Sequence, residues 1–348
     1  DVADALPAPD DVEADLLASV ADTSWVWRQY DHQLFLNTVA GPGGDATVLR
    51  LKDPRTGEPT GRGLGLTTDG NHRWCALDPR SGMAAVVAES VVNLATVGAR
   101  PLALVNCLNF GNPEHPEVMW QLSEAIDGMA EASRVLSVPV IGGNVSLYNE
   151  SGGTDIHPSP VIGMVGLVER LEQRPPGIGL FEGTALVLVG VPATSLSGSA
   201  WAWAQGHRGG LPPQVDLEVV RDTAAFVRDA AAAGRLRSAH DLAGGFGPAV
   251  VEMAVATQVG ARVGLPAPGG HVALFAETPG AVLVAVEPAD VEGLLADARS
   301  AGVPAQVMGD AGGDRITVGA VVDVGVDEAH AAWRDRLPSA LAAGTTQG

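Results

Sequence analysis

VPVIGGNVSLYN, residues 138–149, is the stretch on which the fold turns. The apolar run Val138, Pro139, Val140, Ile141 reads as a strand, and it enters a glycine pair followed by an amide and a hydroxyl. A strand tip without side chains lets backbone N–H groups approach a phosphate. Beside it, Asn144 offers a carbonyl oxygen to a hard cation and Ser146 a hydroxyl to an anion. Ordinary strand-to-loop turns use the same residues, so the context on either side carries the weight.

Upstream, helical spacing appears in Met83 to Ala95 and in Val118, Leu122, Ala125, Ile126, Met129, Ala132 and Leu136, which predicts two amphipathic helices with one buried face each. Leu102 to Val105, Val138 to Ile141 and Val161 to Val168 are strand candidates between and after them. Further upstream, Gln33 to Val39 and Ala46 to Leu51 read as strands around the turn Gly41 to Gly44, followed by a strand at Gly63 to Thr67. Strands alternating with helices predict a layered α/β domain over residues 23–173. The acidic, Pro-containing segment 1–22 reads as a linker or an entry segment, with order beginning near Trp25.

The Pro/Gly-rich connection Arg174 to Gly179 marks the boundary to a second α/β unit, residues 180–340. Strands are expected at Ala185 to Val191 and Ala281 to Val286, and helices at Leu217 to Ala233, Ala249 to Val259 and Ala289 to Gly302. A closing helix is expected over Glu328 to Leu337.

Composition excludes several function classes. The 348 residues are 46% hydrophobic with 4% aromatic, which suits a globular α/β protein. A net charge of -20 repels nucleic acid and acidic membrane surfaces, so a polyphosphate must arrive with a metal or meet a locally neutralised pocket. Two unpaired cysteines, Cys75 and Cys107, argue for a reducing compartment, the cytoplasm, and against a zinc site. No run approaches the roughly 20 apolar residues that cross a bilayer. The first residue is Asp1, which fits a segment of a longer gene product.

Lys52 is the single lysine and follows no Gly-x-x-x-x-Gly loop, so a Walker-type cradle is excluded. No GxGxxG opens a helix, and no G-x-S-x-G elbow is present; Ser195 and Ser199 read as turn and cap residues. Glu89 and Asn93, four apart on a helix, can reach one cation, with Asp45 and Asp241 as loop carboxylates. Each also has an ordinary reading, as a solvated face, a cap or a loop hydrogen-bonder. His240 reads as a loop histidine and Trp201 and Trp203 as packing.

The order of WVWRQYDHQLFLNTVAGPGGDATVLRL, TTDGNHRWCALDPRSG, NCLNFGNPEHPEVMWQL, VPVIGGNVSLYNE, SAHDLAGGFG and LFAETPG resembles the C-terminal half of phosphoribosylformylglycinamidine synthase of the small bacterial type. The resemblance implies an AIR synthetase-like unit: an α/β domain giving strands to a central barrel, then an α/β domain with a mixed sheet. It implies ATP- and Mg²⁺-dependent conversion of formylglycinamide ribonucleotide and glutamine-derived ammonia to the amidine, in the fourth step of purine biosynthesis. ATP activates the amide oxygen and ammonia displaces phosphate, which asks for a metal-bridged phosphate clamp rather than a protein nucleophile.

Carried over by motif, Asn106 and Gly143 contact ATP, Asn144 binds Mg²⁺ and Ser146 touches substrate. Asn106 stands where many relatives carry aspartate. Asp45, Glu89, Asn93 and Asp241 resemble the ligands of a second, structural nucleotide and metal site. The catalytic histidine belongs to the N-terminal half, so no catalytic residue is expected in this chain. Implied partners are that half, a glutaminase subunit and a small bridging subunit; a homodimer closing the barrel is the other arrangement. Alternative functions are another AIR synthetase-like ATP-dependent enzyme, or a non-catalytic nucleotide-binding or assembly module.

Overall fold

The computed structural model describes residues 6–345. Its first part runs α1 (Val12–Ser19), α2 (Ser24–Arg28), β1 (Thr38–Ala40), β2 (Thr47–Lys52), β3 (Pro59–Asp69), α3 (His72–Leu77) and α4 (Pro79–Thr96). It continues β4 (Arg100–Asn109), α5 (Pro116–Val135), β5 (Val140–Ser146), β6 (Glu150–Ser151), β7 (Thr154–Asp155) and β8 (Val161–Val168). The second part runs β9 (Ala185–Gly190), α6 (Ala200–Ala204), α7 (Leu217–Ala232), β10 (Ser238–Asp241), α8 (Phe246–Thr257), β11 (Ala261–Val263) and α9 (Gly270–Phe275). It closes with β12 (Ala281–Val286), α10 (Val291–Ser300), β13 (Ala305–Ala311), β14 (Arg315–Val318), β15 (Val322–Gly325) and α11 (Val326–Thr345).

Two mixed sheets result. The first has six strands in the order β1-β2-β3-β8-β4-β5, the second seven in the order β10-β12-β9-β13-β11-β14-β15. The expected two-unit α+β architecture is therefore present. In β8 the side chains alternate between buried and half-buried, so only one face of the first sheet carries helices. On the other face Leu66 and Val105 are exposed apolar residues.

α4 departs from its expected amphipathic form. Val86, Val87, Val91, Val92, Leu94 and Ala95 are all buried, although they point in every direction around the helix. One side lies on the first sheet and the other on α7 and the second sheet, and all three share one core. A helix clamped between two layers has no solvent stripe to betray it. Asp78 caps it, accepting from Ser81 N at 2.7 Å, and Pro79 at its first turn needs no hydrogen-bond partner.

The second core covers the far face of the second sheet with α8, α9 and α11. α1 joins it: Leu16 and Val20 are buried there, and Trp201 Nε1 donates to Asp15 at 2.7 Å. Within 1–22, residues 1–5 lie outside the described residues; the rest corrects the linker reading, because an acidic outer face conceals two core positions. Of the strand expected over Gln33 to Val39 only Thr38 and Val39 lie in one; a 3-10 turn at Leu34–Leu36 precedes it, with Phe35 at φ 61, and pairing starts at Thr38.

Candidate functional site

β5 is an edge strand, hydrogen-bonded to β4 in parallel with Asn106 opposite Gly143, Cys107 opposite Asn144 and Asn109 opposite Ser146. The pleat then sorts the four expected residues into two pairs. Asn106 and Gly143 lie on the helix side, where Asn106 Nδ2 reaches Met129 Sδ of α5 at 3.5 Å. Asn144 and Ser146 lie on the open side, with Asn144 Nδ2 3.9 Å from Cys107 Sγ. A Cβ at Gly143 would sit 2.1 Å from Asn106 Oδ1 and 2.8 Å from Asn106 O, so only glycine brings these two strands together here.

All of β5 up to Val145 is exposed, Ile141 by 67% and Val145 by 54%. Its outer edge has no partner strand among the described residues. Asn144 is exposed rather than packed in an apolar interior. Ser146 is held by Asn149, whose Nδ2 donates to Ser146 O at 2.9 Å and to Phe110 O at 3.0 Å. Nearby, Asp155 accepts from Asn112 N and His115 Nδ1, both at 2.7 Å, which pins the loop after β4.

A second constellation lies between the two units. Glu89 and Asn93 share one face of α4, as the spacing predicts, and Asp241 ends β10 rather than lying in a loop. Asp69, at the end of β3, completes the group: Asn93 Nδ2 and Thr67 Oγ1 donate to Asp69 Oδ1 and Oδ2, both at 2.8 Å. Burial raises the pKa of Asp69, opposed by hydrogen bonds from Ser90, Thr67 and Asn93. Burial, then the charges of Asp69 and Asp241, push Glu89 well above the usual carboxylate range. Asp241 is pushed up to about 8, by burial and then by Asp45. Glu89 Oε2 and Asn93 Oδ1 are buried with no hydrogen-bond partner. Orphaned oxygens facing crowded carboxylates are a donor set for a hard cation.

Asp45 acts first as the hydrogen-bonder that one of its two sequence readings expects. Its Oδ1 is 2.6 Å from His240 Nδ1, and its Oδ2 accepts from Asp241 N at 3.0 Å. His240 Nε2 lies 3.0 Å from Glu252 Oε2, so the imidazole bridges two carboxylates. Burial alone lowers the pKa of His240, but Asp45 and Glu252 outweigh it and hold the ring protonated well above its ordinary range. Asp45, His240 and Asp241 do place ligand atoms within 4.8 Å of one another. Both Asp45 oxygens are nevertheless engaged, and the free oxygens belong to Glu89 and Asn93. Asp69 was missed because TTDG reads as an ordinary turn; its one signal was a carboxylate ending a strand just ahead of the helix start Asn71.

The pKa shifts give a signed expectation for the metal-free chain. Asp69, Glu89 and Asp241 bind protons more tightly folded than unfolded, so their contribution favours the fold at low pH and is lost as pH rises. For Asp241 the window runs from its unfolded value near 3.8 to about 8. Thermal midpoints taken with a chelator should therefore fall across that window. Mg²⁺ should restore most at its upper end, and Glu89→Gln should flatten the profile. A midpoint indifferent to Mg²⁺ at pH 8 would remove the cation from this site.

Both units match domains of known proteins. Residues 43–168 match the N-terminal domain of AIR synthase related protein and residues 182–321 its C-terminal domain. The phosphoribosylformylglycinamidine synthase subunit PurL of Moorella thermoacetica is 44% identical over 350 residues, 97% of this chain and 47% of that protein. The PurL subunit of a Nocardioides species is 42% identical over 351 residues, 98% of this chain and 46% of that protein. The chain thus spans about half the length of the curated relatives it matches. Among solved structures, Thermotoga maritima PurL complexed with ATP aligns at TM-score 0.58 and 25% identity, over 84% of this chain and 41% of that one. The same protein complexed with FGAR aligns at TM-score 0.71 over 92% of this chain and 54% of that one; at 17% identity this speaks for the fold alone. By both of its domain types, the chain belongs to the AIR synthase related protein family.

Proposed function

We propose that this chain is the half of a phosphoribosylformylglycinamidine synthase that contributes part of the ATP and Mg²⁺ site, forming an amidine from an amide and ammonia. The observation that carries it is β5: an open edge strand whose glycine lets Asn106 approach on one side while Asn144 and Ser146 project from the other. Asn144 would hold Mg²⁺ through its side-chain oxygen, and Ser146 would hydrogen-bond substrate. When bound, Mg²⁺ neutralises the oxygens of the transferred phosphate. The chain's own groups orient the nucleotide and leave the strand edge for the other half of the barrel.

That edge, with exposed Ile141, Val145, Leu66 and Val105 around it, supports docking of an N-terminal half. A glutaminase subunit and a small bridging subunit would deliver ammonia. The test is reconstitution: the purified chain, a matching N-terminal half, and their mixture, assayed for phosphate release dependent on formylglycinamide ribonucleotide and ammonia. Activity confined to the mixture is expected. A mixture that forms a complex yet never turns over would end the proposal.

The orphaned Glu89 Oε2 and Asn93 Oδ1 favour a second, structural role beside the first: a metal-bound nucleotide retained between the two units. A ligand that binds only the docked state stabilises it by mass action. Denaturing the purified chain and assaying the supernatant for ADP, ATP and magnesium tests this; nucleotide at near one per chain is expected.

A further inference from the structure

In the second unit an open cavity of about 510 Å³ is lined by the segment after β9, the irregular connection between α6 and α7, the first turn of α7 and the turn before β12. Its size is in the range of small-molecule sites. The walls are apolar and flat: Pro192, Pro212, Pro213, Val191, Val219 and Val220. The lining contains no lysine or arginine. Its two carboxylates differ in what they have free. Glu277 is spent, accepting from Arg73 Nη2 at 2.9 Å and from Ala200 N at 2.6 Å. Asp216, solvent-exposed, caps α7 with Oδ1, accepting from Glu218 N at 3.0 Å, and among the described residues no hydrogen bond reaches its Oδ2.

The wall is preformed. Two consecutive prolines stiffen the connection, Gln214 Nε2 donates to Pro212 O at 3.0 Å, and Arg208 is stacked 3.9 Å from the Trp203 ring centre. At the mouth Val191 and Leu211 are exposed by 48% and 60%, apolar surface that an occupant would cover. Long irregular connections that are nevertheless held in place are commonly binding elements.

We propose that this cavity binds a neutral planar heteroaromatic amine, a nucleobase or nucleoside carrying no phosphate. Proline and valine faces take a flat ring, and the free Asp216 oxygen accepts from an amino group or ring N–H. A phosphate finds no lysine or arginine in the lining and meets the unpaired carboxylate of Asp216, Glu277 being neutralised by Arg73. The site is distinct from the carboxylate cluster on α4 and does not depend on the proposed ligase activity.

Calorimetric titration of the chain with adenine, adenosine and AMP tests it, with and without Mg²⁺. Saturable binding of adenosine is expected, unchanged by Mg²⁺ removal, with AMP weaker. Asp216→Asn keeps the helix cap and should weaken adenosine about tenfold, the worth of one charge-assisted hydrogen bond. Val219→Phe, which fills the cavity from a half-buried wall, should abolish binding with an unchanged circular dichroism spectrum. Absence of saturable adenine or adenosine binding overturns the proposal, as does AMP binding tighter than adenosine or affinity indifferent to Asp216→Asn.

Discussion

Replacing Gly143 by alanine is expected to lower the ATP-dependent turnover of the reconstituted enzyme by about a hundredfold, the scale on which a displacement of about 1 Å at a reacting group is felt. The added methyl would meet not only the Asn106 side-chain amide, Oδ1 at 2.1 Å and Cγ at 2.6 Å, but also its backbone oxygen at 2.8 Å. A swing of the amide therefore cannot make room, and β5 must move away from β4. Because β5 is exposed along its length, little packing is lost and the thermal midpoint should hold. Gly142→Ala is the contrast: its Cβ would meet only Val105 Cγ1, at 3.9 Å, and a mild effect is expected. Steady-state kinetics on both variants, with melting curves, check the pair. Equal activity at the two positions would sink the assignment of the nucleotide to this strand tip.

Replacing Arg73 by alanine should have the largest effect on stability. Arg73, on α3, crosses between the units to donate through Nη2 to Glu277 at 3.1 and 2.9 Å and through Nε to Gly198 O at 3.0 Å. Glu277 is 2% exposed, and burial raises its pKa against the opposing pull of Arg73. Removing the guanidinium leaves a buried carboxylate without its charge partner, which costs about 3–5 kcal/mol, or roughly 10 °C in midpoint for a chain of this size. The double variant Arg73→Met with Glu277→Gln should recover most of that loss, since the cost lies in the orphaned charge rather than in the absent pair. Thermal and urea melts of the single and double variants measure it. A single-variant loss below about 1 kcal/mol would mean the pair behaves as a solvated one and does not hold the units together.

Much of the architecture was legible because it follows local rules. The strand at Val161 to Val168 and the apolar spacing of α5 needed nothing beyond the chain itself, as did the cap Ser199. The same holds for the glycine-led strand end at residues 142–146, whose side-chain sorting follows from the pleat once the strand is recognised. α4 was legible as a helix but not as a buried one. Its alanines and valines satisfy both readings, and burial depends on a second sheet contributed by residues far along the chain.

The inter-unit site shows the same division. Glu89 and Asn93 were readable from four-residue spacing, because helix geometry is local. Asp45 and Asp69 could not be told apart in the sequence, since both are short acidic residues beside glycines or threonines. Their roles separated only when His240 arrived beside Asp45 and Asn93 beside Asp69, partners that lie 195 and 24 residues away. The amino-acid order by itself determined which elements form and which residue types are on offer. Tertiary packing alone decided which carboxylates are buried together, which oxygens are left unpaired and which strand edge stays open, because charge, burial and hydrogen-bond satisfaction depend on neighbours brought by folding rather than by adjacency.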